Sequence, residues 1–311
     1  MDPQKIPFRS MDEFIPYWFD AARDVFTTKL KGDILVGRRL LPTDRVAPPP
    51  KGSYSTPIKY TSGVSSIPPD ILGMSVIELS KAFASLRRFE VGRADDCPLH
   101  LAHPTVSERH ATLELEGGST RWISDTGSQH GTFINNQELA PRIKTMLNLN
   151  DAISFGAQKL YLRDYSWIGQ QLNTRLRRPR EDEQFVRLVI RYLDGRILKR
   201  VARSYQFSGD RLFVENFLTS KGETLPVYNV KAVFFVKNLL GNPTRVDKQG
   251  FVQESAGENM FVEFNDGECM WGVCAEYNPN AMGFLIRPCD AEGNNLQVYV
   301  DRRAAKYILN G

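Results

Sequence analysis

The sequence predicts a mainly β protein: a β-sandwich in the middle of the chain, then two small repeated β-barrels, all preceded by a short helix and a disordered linker. Three observations carry this reading. First, between about Ile71 and Tyr165, short runs such as RRFEVGR, HATLELE, TRWISD, GTFIN, DAISFG and KLYLRDY follow one another with Gly and Asp turns and no helical interlude. That is the pattern of a sandwich. Second, the C-terminal part repeats itself: VIRYLDGRILKRVARSYQ from Val189 matches FVEFNDGECMWGVCAEYN from Phe261. Third, 311 residues with 41% hydrophobic content suit two or three soluble domains.

Charge and cysteine usage narrow the function classes. Forty Lys plus Arg against thirty-six Asp plus Glu leaves +4, too small a surplus to argue for nucleic acid or a membrane surface. Cys97, Cys269, Cys274 and Cys289 form no CxxC pair and are too sparse for a secreted disulfide framework. The first residues, MDPQKIPFRSMDEF, lack a basic segment followed by an apolar core, and no apolar run is long enough to span a bilayer. A cytoplasmic protein of bacterial style is expected.

Residues 1–41 form the first segment. Phe14, Trp18, Ala21 or Ala22, Val25 and Leu30 recur at helical spacing, Ser10 and Glu13 make a capping box, and Gly32 is a natural stop. One amphipathic helix over 10–31, docked on a neighbouring domain, is expected, with GDILVGRRLL adding a strand. Residues 42–70 are rich in Pro, Ser and Thr and read as a linker, with Thr43, Thr56 and Thr61 as modifiable positions. The sandwich takes 71–165. Residues 166–184, with Arg175, Arg177, Arg178 and Arg180 followed by Glu181, Asp182 and Glu183, read as a charged connector.

The repeats span 185–242 and 243–311. Asp194-Gly195 matches Asp266-Gly267, and Val201 and Tyr205 match Val273 and Tyr277, an offset of 72 (266 − 194). LPVYNVKAVFFV from Leu225 is aligned with LQVYVDRRAAKY from Leu296 at an offset of 71. Each Asp-Gly predicts a hairpin with positive φ at both central residues. Leu188, Ile190 and Tyr192 share one face of the opening strand. About five strands per copy predict a small barrel of the SH3 or Sm type.

Residues 88–156 resemble the forkhead-associated (FHA) domain. The matching elements are Gly92-Arg93, Ser107 with His110-Ala111, then Asp125, Ser128, Gly131-Thr132 and Asn135, and finally Asn150-Asp151 with Phe155-Gly156. The resemblance covers about a third of the chain. It implies a sandwich that binds phosphothreonine peptides through the loops at one end, with Arg93, Ser107, Arg109, Ser128 and His130 as phosphopeptide-binding residues. Gly92, His110, Gly131, Thr132 and Asn135 would support those loops. The chemistry suits that role: a phosphothreonine carries a charge near −2 and three acceptor oxygens, and a guanidinium fork and a hydroxyl are matching donors. Charged hydrogen bonds contribute roughly 1.5–3 kcal/mol each, so three or four of them, less ordering costs, support affinity at about the micromolar level.

Two positions depart from the family pattern. Glu108 follows the loop serine where Lys or Arg is usual, and His130 precedes Gly131 where Asn is usual. A carboxylate about 6 Å from a dianion costs a few kcal/mol at an effective dielectric near 20. Arg109 could compensate, Glu108 could face solvent, and His130 could donate to a peptide carbonyl. The same loops could therefore also serve an unphosphorylated protein partner.

Other chemistry is weaker. His100, His103, His110 and His130 with Asp125 invite a zinc reading, but no spaced cysteine or histidine motif supports it. SKGET lacks the upstream glycine of a phosphate loop, and neither a GxSxG elbow nor a kinase signature set is present. RLRRPR before the first repeat lacks the RxxxR spacing of PilZ modules that bind cyclic dinucleotides, which remains the alternative for the C-terminal half. The sequence reading is thus a non-enzymatic signalling adaptor needing no cofactor or metal, whose partner is a threonine-phosphorylated protein. That partner depends on a separate Ser/Thr kinase; neither nucleic acid nor a membrane span is involved.

Overall fold

The computed structural model describes residues 5–22, 24–52, 71–117, 120–242, 244–251 and 257–310. The chain divides into two units, Met1–Trp18 with Ala22–Asn173, and Phe19–Ala21 with Thr174–Gly311. Among the described residues no helix is long and apolar enough to cross a membrane.

Unit 1 contains strands β1 (Arg9–Ser10), β2 (Asp33–Gly37), β3 (Ser75–Ile77), β4 (Arg88–Gly92), β5 (Leu99–His100), β6 (Ala111–Glu116), β7 (Thr120–Asp125), β8 (Thr132–Ile134), β9 (Gln137–Glu138), β10 (Thr145–Leu147), β11 (Ala152–Phe155) and β12 (Gln158–Asp164). They form a seven-stranded sheet, β1-β3-β2-β12-β11-β8-β9, and a five-stranded sheet, β10-β7-β6-β4-β5. Alternate residues of both sheets, among them Leu35, Phe89, Val91, Leu113, Ile123, Ile134, Ile153 and Leu160, bury into one core. The expected sandwich is present. It recruits the N-terminal segment as well: β2 pairs with β12 in register Leu35↔Leu162.

The expected single helix over 10–31 is instead a 3-10 turn, Met11–Phe14, then α1 (Ile15–Asp20) and α2 (Val25–Thr28). Pro16 explains the first break, because it has no N–H to give the Asp12 carbonyl. The capping box is as expected: Ser10 N donates to Glu13 Oε1 at 2.9 Å and Asp12 N to Ser10 Oγ at 3.3 Å. Met11, Phe14, Trp18, Val25 and Phe26 are buried. Two further helices interrupt stretches read as strand or connector, α3 (Leu79–Ser85) and α4 (Tyr165–Arg175). α4 buries Ile168 and Leu172, and Gly169 lets Phe26 approach so closely that a Cβ there would lie 3.0 Å from its ring. The first half of the expected connector is therefore a helix that docks one face, through Ile168, Gly169 and Leu172.

Of the expected linker, residues 53–70, with Thr56 and Thr61, lie outside the described residues. Residues 42–52 form no helix or strand but are held to the sandwich. His103 Nε2 donates to the Asp44 carbonyl at 2.9 Å, and Gly52 N donates to Glu138 Oε2 at 2.8 Å.

Unit 2 contains β13 (Val186–Tyr192), β14 (Ile197–Ser208), β15 (Arg211–Asn216), β16 (Gly222–Pro226) and β17 (Val230–Val236), then β18 (Glu258–Phe264), β19 (Cys269–Cys274), β20 (Gly283–Pro288), β21 (Asn295–Asp301) and β22 (Ala305–Asn310). The two barrels expected from the repeat are not closed. Each copy is an open sheet, and the two join in one ten-stranded order, β16-β15-β14-β13-β17-β21-β20-β19-β18-β22. The physical reason lies at the seam: β17 pairs with β13 on one side, and its other edge, which would have to meet β16 to close the copy, pairs with β21 of the next.

Both copies keep the same connectivity, the fifth strand lying beside the first. Leu188, Ile190 and Tyr192 share a buried face, as expected. The Asp-Gly turns are also twins, but only Gly195 (φ 85°) and Gly267 (φ 84°) adopt positive φ, not the aspartates. Tyr192 N bonds to the Arg196 carbonyl and Phe264 N to the Glu268 carbonyl, which makes three-residue loops. The fifth strand is registered differently from the sequence alignment. Tyr192 faces Val230 and its counterpart Phe264 faces Ala305, so the offset there is 75 (305 − 230) and not 71.

Candidate functional site

Gly92 ends β4 where the backbone of 106–110 comes closest. A Cβ at this position would lie 2.0 Å from the Glu108 carbonyl oxygen. That oxygen instead accepts from Ala94 N at 3.1 Å and Cys97 Sγ at 3.3 Å, laying the two loops side by side. Arg93 N then donates to the Ser107 carbonyl at 2.9 Å, and Arg93 Nε to the Val106 carbonyl at 3.2 Å. Residues 93 and 107 are thus neighbours. Arg93 is exposed, and among the described residues no carboxylate pairs with its guanidinium.

A second loop, 126–131, meets the first. Gln129 N donates to Ser107 Oγ at 3.0 Å, leaving the Ser107 hydroxyl hydrogen to seek an acceptor. His110 ties the loops from below: Ser107 N donates to its Nδ1 at 2.9 Å and its Nε2 donates to the Gly131 carbonyl at 3.1 Å. Burial drives its pKa down to about 4, against the opposing pull of the Gly131 carbonyl, so the ring is neutral. Gly131 takes φ 76° at the turn.

Asp125, at the end of β7, organises the second loop. Its Oδ1 accepts from Gly127 N (2.7 Å) and Ser128 N (2.9 Å), and its Oδ2 accepts from Ser128 Oγ (2.6 Å) and Thr132 Oγ1 (2.6 Å). Burial opposes its ionisation, but these bonds outweigh it and hold the carboxyl below the usual range. Asn135, at φ 51°, bonds Asp151 Oδ1 and the Ala152 N–H, bracing the next turn.

The sequence-predicted residues therefore separate. Arg93, Ser107 and half-buried His130 lie on the two loops with polar atoms not consumed by the fold. Ser128 is buried and its hydroxyl is spent on Asp125. The Arg109 guanidinium is held by Glu90 and Asp96, so it does not replace the missing cation. Glu108 is exposed and bonds through its carbonyl. The sequence reading missed Lys51, whose Nζ donates to the Ser128 carbonyl at 3.0 Å beside Gly131. Its position behind three prolines gave no signal of a site.

The histidines weighed for zinc are scattered. His103 is held by Thr105 Oγ1 and the Asp44 carbonyl, and His100 by the Ala94 carbonyl. Among the described residues no group of three His, Cys, Asp or Glu side chains is placed to hold a metal.

Comparison with known proteins bears on both units. Residues 89–156 match the model of the FHA domain, and residues 184–309 match that of a family of unknown function (DUF6982). Over 75 residues the chain is 32% identical to Kanadaptin of Homo sapiens, a stretch covering 21% of this chain and 10% of that protein. The chain thus spans about a tenth of the length of that curated relative. Among solved structures, the FHA domain of the CT664 protein from Chlamydia trachomatis is 22% identical, covering 25% of this chain and 77% of that one, with a TM-score of 0.24. The N-terminal FHA domain of S. cerevisiae Rad53p, in complex with a phosphothreonine peptide, is also 22% identical, covering 27% and 72%, with a TM-score of 0.24. The chain carries an FHA domain at residues 89–156, followed by a duplicated module of a family of unknown function.

Proposed function

We propose that the protein is a non-catalytic adaptor whose FHA domain captures a threonine-phosphorylated segment of a partner protein. Arg93 and Ser107 hold the phosphate, and Lys51 and His130 flank it. The observation that carries this reading is the neighbouring placement of a guanidinium unpaired among the described residues and a hydroxyl whose hydrogen is uncommitted. A phosphate dianion supplies the acceptors these donors lack. The match of residues 89–156 to the FHA domain model supports a phosphopeptide as ligand.

Glu108 tempers the site. Its exposed carboxylate lowers the potential near Arg93, so binding stays near the micromolar level and depends on salt. The kinase that writes the mark is a separate protein. Calorimetric titration of the full chain with a degenerate phosphothreonine peptide library and its unphosphorylated twin tests the proposal. Binding of the phosphorylated library alone is the expected result. Equal heats from both would make the loops a phosphate-independent docking surface.

A further inference from the structure

Within unit 2 the two copies join by β17 against β21, in register Ala232↔Val300, Val233↔Tyr299 and Phe234↔Val298. This is the fifth strand of one copy on the fourth strand of the next. Among the described residues, the same two kinds of edge end the ten-stranded order: β16 is the fourth strand of the first copy and β22 the fifth strand of the second. We propose that unit 2 assembles head to tail with a second copy of this chain, β22 of one molecule pairing with β16 of the next as β17 pairs with β21. The proposal is independent of the phosphopeptide reading.

The register is fixed by the repeat. By pairing, β20 follows β15 at an offset of 70, since Val201 bonds Phe217 while its counterpart Val273 faces Arg287. Val214 faces Glu223 and Phe284 faces Val300, which makes Glu223 the counterpart of Val300. β22 follows β17 at 75. The contact so generated sets Tyr307 opposite Glu223 and Ile308 opposite Gly222. Pro226, which cannot donate, falls opposite Ala304, outside β22. Tyr307 (56% exposed) and Leu309 (50%) sit on an edge strand without the lysine-and-proline blunting that isolates such edges, apart from Lys306 at its start.

The charges at the seam are the second observation. Inside the chain, the first copy offers Lys231 and Arg191, and the second offers Asp266 and Glu268. Lys231 Nζ lies 2.6 Å from Asp266 Oδ2, and Arg191 Nη1 lies 3.0 Å from Glu268 Oε2. Their counterparts at the free ends are Lys306 and Glu263 on the second copy, and Asp194 and Arg196 on the first. Lys306 would thus meet Asp194 and Glu263 would meet Arg196, so opposite charges face each other again although the second pair has exchanged sign. In the single molecule these four pair locally, Lys306 with Glu263 at 2.6 Å and Arg196 with Asp194 at 2.7 Å. Assembly only exchanges partners. Such a heterologous contact builds a ring where its rotation closes and a filament where it does not.

Sedimentation velocity of the full chain tests this, with concentration raised to about 1 mM, the limit for a weak contact. Mass is expected to grow with concentration; a monomer throughout would overturn the proposal. Lys306→Asp and Asp194→Lys, each checked for an unchanged melting transition, are expected to weaken association on the order of tenfold. Mixing the two variants, or combining both changes in one chain, restores it. Association indifferent to both changes, or not restored on mixing, would overturn the head-to-tail register.

Discussion

Two loops meet at the tip of the FHA sandwich and use their polar groups in opposite ways. In residues 125–132, Asp125 collects the Ser128 and Thr132 hydroxyls and two backbone N–H groups, and His110 closes on the Gly131 carbonyl. Of the side chains there, Asp125, Ser128 and Thr132 are spent on one another, and His130 and exposed Gln129 keep polar atoms to spare. In residues 93–109, by contrast, the backbone N–H groups of Arg93 and Ala94 lay the two strands of loop together, and the Arg93 and Ser107 side chains keep donors to spare. Buried Ser128 is thus scaffold, whereas half-buried Ser107 is the one the proposed function makes a ligand donor.

The largest expected effect comes from breaking the scaffold loop. Asp125→Ala leaves four donors without their acceptor, and at about 1–3 kcal/mol for each buried orphan the loss is on the order of several kcal/mol of folding stability. Urea titration reads this directly. If stability held while peptide affinity fell, Asp125 would belong with the binding residues instead.

His110 sharpens the same point through pH. Its folded pKa of about 4 lies below the 6.5 of the free side chain, so the unfolded chain binds the extra proton between those values. Stability is complete above 6.5 and drains away as the pH falls towards 4, by roughly 3 kcal/mol. Denaturant titrations across this window should show the slope, and His110→Gln should flatten it.

Binding-loop changes should leave folding alone. Arg93→Ala is expected to lower phosphopeptide affinity by roughly ten- to a hundredfold, with stability changed by less than about 0.5 kcal/mol. Calorimetry beside thermal melts separates the two effects. The smallest effects concern charge near the phosphate: Glu108→Lys should tighten binding by up to about tenfold at low salt, and the gain should shrink as ionic strength rises. Arg109→Ala, already committed to Glu90 and Asp96, should change affinity little.

Much of this was legible in the sequence. Short strands with period-two burial, the capping box at Ser10 and the paired Asp-Gly turns are local signals, and local signals survive folding. What was not legible depends on long-range choice. Period two is the same in an open sheet and a closed barrel, so only the β17–β21 seam decides between them. The likeness of LPVY to LQVY drew the fifth strand to an offset of 71, whereas pairing sets it at 75. The direction of the Ser128 hydroxyl and the arrival of Lys51 from a proline-rich segment are likewise written only in three dimensions.

The central claim is that the dianion sits between Arg93 and Ser107. Amide and guanidinium proton spectra of the labelled full chain, recorded while a phosphothreonine peptide is added, test it most directly. The Arg93 Nε–H and the Gln129 N–H that reaches Ser107 should shift most, with Ser128 and Thr132 nearly still. Shifts centred on Ser128, or none at Arg93, would contradict it.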